Sequence, residues 1–287
     1  MTRILAVIDP REEIHHALER CKGVPADSDL DIHAVLFIES ASAESFSKIF
    51  AEKSAWLKEQ VIPYQALGYR ITTEVVPFST LYQSVIETAA KYRADYVVKP
   101  MRQHSLFASM VRTSTDWNLI RHCPYPLMLV SELDSIAGKP MLAAVDVMSG
   151  EDNHDRLNEV VIGRGKALGG VLGCDLHLVN AWRASTPMMA VGSVDSTPMP
   201  TPADLHKQHL EGVHALAASH GVPDEGLHVE EGAPAYVINR AAEAIGAGMI
   251  VIGTVARTGL SGALIGNTAE SVLESTRCDV LVVKLKD

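Results

Sequence analysis

Surplus basic charge, paired cysteines, membrane-length apolar runs and a dinucleotide-binding glycine motif are all missing from this sequence. It carries 25 Lys and Arg against 35 Asp and Glu, a formal net charge of −10, without a strongly one-signed block. That balance excludes a general affinity for nucleic acid or for an anionic membrane, since both need an excess of Lys and Arg. The four cysteines, Cys21, Cys123, Cys174 and Cys278, are scattered with no CxxC pair. Each reads as a small buried thiol in a reducing compartment. No apolar run approaches the roughly 20 residues that span a bilayer. The amino terminus, MTRILAVIDPREE, passes straight from a strand pattern into charge and does not read as a signal peptide. The expected location is cytoplasmic.

What is present is a chain written twice. Its 287 residues, 47% of them hydrophobic, suit two domains that each bury a core. RILAVID (3–9) is echoed by PMLAAVD (140–146), so that both strands end on an aspartate, Asp9 and Asp146. DIHAVLFIE (31–39) is echoed by DLHLVNAWR (175–183), with His33 matching His177. ADYVVK (94–99) matches AGMIVI (247–252), and YPLMLV (125–130) matches CDVLVV (278–283). These last two pairs stand 153 positions apart, 94 to 247 and 125 to 278, so the register holds through the intervening helix. The reading is a tandem duplication: domain 1 at 1–133, a linker at 134–139 and domain 2 at 140–287.

Each half alternates short apolar runs with longer helix-period segments. In the second half, Leu157, Val160, Val161, Leu168, Val171 and Leu172 share one helix face, and Val237, Ala241, Ala244 and Ile245 share another. Strands are expected near 140–147, 175–182, 227–231, 249–253 and 279–284. Their unbroken apolar character suits parallel strands covered on both faces. The fold class is therefore α/β, with two tandem open, doubly wound parallel-sheet domains. Ligands of such sheets lie at the carboxyl ends of the strands, near the switch in strand order. Asp146 and the loop GTVARTGLSGALIGNTAE (253–270) meet at that edge.

The loop has phosphate-binding features. Gly253, followed by Thr254, ends a strand and lacks the Cβ that would keep a ligand or another chain segment away. Gly266, Asn267, Thr268 and Glu270 open the last helix, with Asn267 as a cap candidate and Glu270 placed for a capping box. Free N–H groups there suit a phosphate, and Arg257 could add a charge-assisted contact. A cap needs no ligand, however, and an aspartate at a strand end can simply cap the next helix. No GxGxxG follows the first strand of either half, where DPREE and DVMSG stand. GRGK (163–166) lacks the rest of a P-loop and falls within a predicted helix.

With its strand-end aspartate, VEEGAP (229–234), glycine loop and terminal Val-rich strand, the repeated half resembles the universal stress protein family. TDWNLIRHCPYP (115–126) resembles its tandem, E-type branch. Members that bind nucleotide resemble G-x-x-G-x9-G-[S/T], a pattern that falls here on Gly253, Ala256, Gly266 and Asn267. Ala256 and Asn267 depart from it. The resemblance implies that Asp146 holds the adenine and ribose end, and that ATP or another adenine nucleotide binds domain 2 only. In domain 1 the same positions are Pro100, Gln103, Thr113 and Ser114, without a glycine. Lys99 and Arg112 there read as a solvated basic pair. The resemblance also implies an adenine nucleotide α-hydrolase-like fold whose domains pair through their last strands, as a pseudo-dimer within one chain.

His206 and His209 are three apart on a helix, but no ligand set completes a metal site, so no metal is expected. The segment 184–204, rich in Pro, Ser and Met, reads as a flap beside the nucleotide edge or as an insertion. The leading expectation is a stress-response protein that is not an enzyme, with no catalytic residues. A homodimer and an unknown protein partner complete that picture. A slow ATPase or nucleotidyl-transfer enzyme, and a scaffold for an apolar small molecule between the halves, stay open as alternatives.

Overall fold

A computed structural model describes residues 1–39, 43–101, 114–132, 135–150, 152–184, 200–254 and 267–285, with the backbone alone at 43–46, 114 and 267. The first half runs β1 (Thr2–Ile8), α1 (His16–Cys21), β2 (Leu30–Glu39), α2 (Ala43–Ala66), β3 (Arg70–Phe78), α3 (Leu81–Tyr92), β4 (Tyr96–Pro100), α4 (Ser114–His122) and β5 (Leu127–Val130). The second repeats the order as β6 (Met141–Ala144), α5 (Asp152–Leu172), β7 (Leu176–Trp182), α6 (Pro202–His220), β8 (Leu227–Glu231), α7 (Pro234–Ala244), β9 (Met249–Thr254), α8 (Asn267–Ser275) and β10 (Asp279–Lys284). The 153-residue register reaches the helix bounds, taking Ser114 to Asn267 and His122 to Ser275.

The ten strands among the described residues form one sheet in the order β3-β2-β1-β4-β5-β10-β9-β6-β7-β8. Every neighbouring pair is parallel except the central one, where β5 and β10 run antiparallel with Leu129 opposite Val280 and Leu127 opposite Val282. The two last strands thus join the halves, and each keeps its neighbour's apolar edge out of water. α1, α2, α5 and α6 cover one face, and α3, α4, α7 and α8 the other. Each face has a core that crosses from half to half, with Ile4, Leu157 and Leu281 in one and Leu119, Ile250 and Val280 in the other. Central strands such as β9 (MIVIGT) are buried almost throughout, as strands covered on both faces must be.

Two helix faces differ from the sequence reading. α5 buries Leu157, Asn158, Val161, Ile162, Gly165, Gly169 and Leu172, whereas Val171 is 47% exposed. α7 buries Val237, Ile238, Ala241 and Ala242, leaving Ala244 exposed. In both, the buried stripe turns toward the strand beneath, by about one residue relative to the expected face. Gly165 of the GRGK segment has a packing role: a Cβ there would lie 2.8 Å from Leu176 on β7.

Candidate functional site at the carboxyl edge of the sheet

In each half the first and fourth strands are neighbours and the chain leaves them toward opposite faces. A crevice opens at their carboxyl ends in such a sheet. In the second half these strands are β6 and β9.

Asp146 lies just beyond β6. Its backbone N–H donates to Asn158 Oδ1 at 3.0 Å, and its carbonyl accepts from Asn158 Nδ2 at 2.7 Å. Asn158 is buried on α5, so one side chain satisfies both main-chain groups at the end of the strand. The Asp146 carboxylate is half exposed, accepts from the Met148 N–H at 3.3 Å and lies 3.1 Å from His154 Nδ1. α5 begins only at Asp152, so Asp146 makes a short Asx-type turn and does not cap that helix.

Beside it, Asn180 Nδ2 donates to the Val145 carbonyl at 2.9 Å, and its Oδ1 accepts from His209 Nδ1 at 2.7 Å. This chain ties the ends of β6 and β7 to α6. Burial holds the His209 pKa below its ordinary value, with the nearby Asp146 charge pulling the other way. Trp182 ends β7 against the rings of His206 and His209, with centroids 5.7 Å and 6.4 Å away. Among the described residues its buried indole Nε1 has no hydrogen-bond partner, and neither has the buried Oγ1 of Thr254 at the end of β9. Orphaned buried donors and acceptors are rare because each forfeits its hydration. Among the described residues no group of three or more His, Cys, Asp or Glu could hold a metal ion.

The remaining sequence candidates fare unequally. A Cβ at Gly253 would stand 2.5 Å from Leu157 Cγ and Cδ2. The missing side chain therefore admits α5, the chain-segment reading of that glycine. Asn267 and Thr268 fall in the first turn of α8, with Thr268 partly buried. Glu270 pairs with Arg121 of α4 at 3.0 Å across the two halves; the expected capping box involves the Asn267 side chain and lies outside the described residues. Arg257, Gly266 and Ala256 lie outside the described residues, as do residues 185–199 of the Met-rich segment. Asn158, Asn180, Trp182 and His209 were not singled out as a site by sequence. The spacing of His206 and His209 was the available signal: too sparse for a metal site, it places both rings against the Trp182 indole.

The corresponding edge of the first half contains a cleft of about 570 Å3, bordered by Asp9, Phe37, Phe78, Tyr82, Lys99 and Pro100. Lys99 is not solvated. It is 6% exposed, lies 2.7 Å from Asp116 Oδ1 and donates to the Pro100 carbonyl at 2.9 Å. Asp116 is 1% exposed. Asp9 accepts from Arg11 Nε at 3.0 Å and from Arg11 Nη2 at 3.1 Å. Glu12 nearby has its pKa pushed up to about 7, first by burial and then by the Asp9 charge.

The comparisons agree with this architecture. The Universal stress protein family model matches residues 1–131 and again 139–284. Universal stress protein E of Escherichia coli (strain K12) is 32% identical over 294 aligned residues, covering 98% of this chain and 93% of that protein. Universal stress protein E homolog of Haemophilus influenzae is 29% identical and covers 98% of this chain and 96% of its own. A crystal structure from Pseudomonas aeruginosa UCBPP-PA14, described as a universal stress protein, superposes with a TM-score of 0.81 at 29% identity, over 98% of this chain and 92% of that one. Two consecutive matches spanning nearly all of the sequence, on a sheet built from two copies of one unit, mean that this chain belongs to the universal stress protein family and carries two of its domains in tandem.

Proposed function

We propose that the protein is a non-enzymatic stress-response protein of the cytoplasm that takes ATP or another adenine nucleotide at the carboxyl edge of its second half. One observation carries this reading. Thr254 Oγ1 and Trp182 Nε1 are buried without hydrogen-bond partners among the described residues, at the ends of β9 and β7, and flank β6, the strand that leads to Asp146. A ligand with hydroxyls, ring nitrogens and a flat apolar base would satisfy those groups, with Asp146 accepting from ribose hydroxyls. The opening of α8 offers N–H groups to a phosphate, and Asn267, Thr268, Arg257 and Gly266 belong to the same proposed cradle, whereas the space at Gly253 is taken by Leu157. Bound nucleotide would stabilise the second half and alter a surface read by a protein partner. A second copy of the chain is one such partner.

Thermal unfolding with and without nucleotide tests this. At ten times the dissociation constant, ligand binding adds about 1.4 kcal/mol, which is a rise of about 3–5 °C for a domain of this size. Asp146→Ala and Thr254→Val should each abolish most of that rise, and Asp9→Ala in the first half should leave it intact. No shift at millimolar ATP removes the nucleotide from the account.

A further inference from the structure

The halves differ most on the face that carries α1 and α5. Residues 9–29 connect β1 to β2, whereas residues 145–175 connect β6 to β7. The shorter connection yields a helix of 6 residues, its counterpart one of 21. At 1.5 Å per residue these cover roughly 9 Å and roughly 32 Å of sheet. Beyond the end of α1, the face of β1, β4 and β5 is therefore left without a further helix of its own half among the described residues. Ile4, Val98 and Met128 border a cavity of about 330 Å3 in that place. Its far wall is the end of α5, through Ala167, Leu168, Val171 and Leu172. Leu172 also fills the space of a Cβ at Gly23, 2.7 Å away, so the second half closes over the gap left by the first.

We infer that this cavity between the halves is a binding site for one unbranched aliphatic chain with a small neutral polar head. Its walls are mostly apolar, and the Tyr96 hydroxyl among them accepts from Arg164 Nη1 at 3.1 Å. The buried cation there, Arg20, already donates to Asp279 at 2.5 Å and to the Ser131 carbonyl at 3.1 Å. A polar rim lies at one end, where the Met1 ammonium pairs with Asp29 at 2.6 Å beside Ser28. Asp29 also pairs with Arg70 at 3.0 Å, and Arg70 in turn with Asp31 at 2.8 Å, so the charges around the rim balance and suit a hydroxyl or ester better than a free carboxylate. Close-packed interiors leave few voids larger than a water molecule. An apolar cavity of about 150 Å3 accepts benzene and stays otherwise dry. By that measure the present volume, which unlike that one opens to solvent beside Met1 and Val171, accommodates about ten to twelve carbons with its rim still hydrated.

The inference is independent of the nucleotide reading and has its own test. The 1-alkanols of six, eight, ten and twelve carbons are titrated against the full chain, with displacement of the fluorescent probe N-phenyl-1-naphthylamine as the readout. Affinity should rise about fourfold per methylene and level off near ten to twelve carbons, with decanoate weaker than 1-decanol. Ala167→Trp, an exposed position on α5 that borders the cavity, should weaken 1-decanol at least tenfold and leave any ATP-induced thermal shift unchanged. Should A167W unfold early, Val171→Trp at the exposed rim replaces it. Affinity independent of chain length, or 1-decanol binding equally well to a folded Trp variant, overturns the assignment.

Discussion

The two sheet edges share a topology and differ in what fills them. In the first half, Lys99 on β4 meets Asp116 on α4. At the same register the second half has Ile252 on β9 and Ala269 on α8, both buried in the same core layer. Pro100 corresponds to Gly253, and the Asp9 carboxylate is bound by Arg11 where Asp146 is set on Asn158. The crevice is thus a property of strand order, present in both halves. Its chemistry depends on a few residues in the last turn of each strand and the first turn of each helix. The first edge is closed by a buried ion pair, Lys99 with Asp116, beside a buried Glu12 Oε2 that has no hydrogen-bond partner among the described residues. Among those residues the second has no such buried pair there, and its buried groups without a partner are neutral, Thr254 Oγ1 and Trp182 Nε1.

Exchanging those residues tests the comparison most severely. Asp116→Ala leaves a buried lysine without its partner and should destabilise the protein by about 3–5 kcal/mol. Lys99→Ile with Asp116→Ala copies the second half's apolar contact, and should recover to within about 1 kcal/mol of the parent, since well-packed apolar replacements of buried pairs are often neutral. Denaturant midpoints of the single and double variants measure both effects. A double variant no more stable than D116A would show that the two positions are not equivalent in packing.

A smaller effect probes the glycine that only the second half retains. Gly253→Ala brings a Cβ against Leu157 and should lose about 1–3 kcal/mol through overpacking. Adding Leu157→Ala relieves that clash, so the double variant should fall short of the sum of the two single losses. Additive losses would mean that the backbone, not Leu157, sets the requirement at residue 253. Pro100→Ala, at the matched site, should change stability by less than G253A.

Much of the fold was legible because it rests on periodicity. Unbroken apolar runs marked the parallel strands, and one 153-residue register carried β4, α4 and β5 onto β9, α8 and β10. The site was less legible because it depends on distances between strand ends that sequence does not encode. Asp146 stood out through repetition, yet the amide that fixes it, Asn158, lies 12 residues on and reads as a polar interruption of a helix face. Lys99 read as solvated for the same reason: its partner Asp116 stands 17 residues on, 99 to 116, and only strand-to-helix packing shows that they meet. The shortness of α1 was encoded in plain view, in 9–29 against 145–175, but the cavity it leaves needs the end of α5 to define it.

The smallest effect concerns Glu12, which stands three residues after Asp9 as Ser149 stands three after Asp146. Its folded pKa of about 7 exceeds the ordinary 4.5, so between those values the folded state holds more proton than the unfolded state. Stability must then fall as pH rises through that window and stay reduced above it. Asp9, Glu132 and Lys99 are the charges that act on it, the first two raising the pKa and the lysine lowering it. Glu12→Gln imitates the protonated form and should be more stable than the parent at pH 8 by about 1 kcal/mol, after allowance for the solvent-exposed part of the side chain. At pH 4 the two should unfold together, and Ser149→Gln should show no such pH dependence. An E12Q advantage that persists unchanged at pH 4 would assign the gain to packing and not to the charge that distinguishes the first edge from the second.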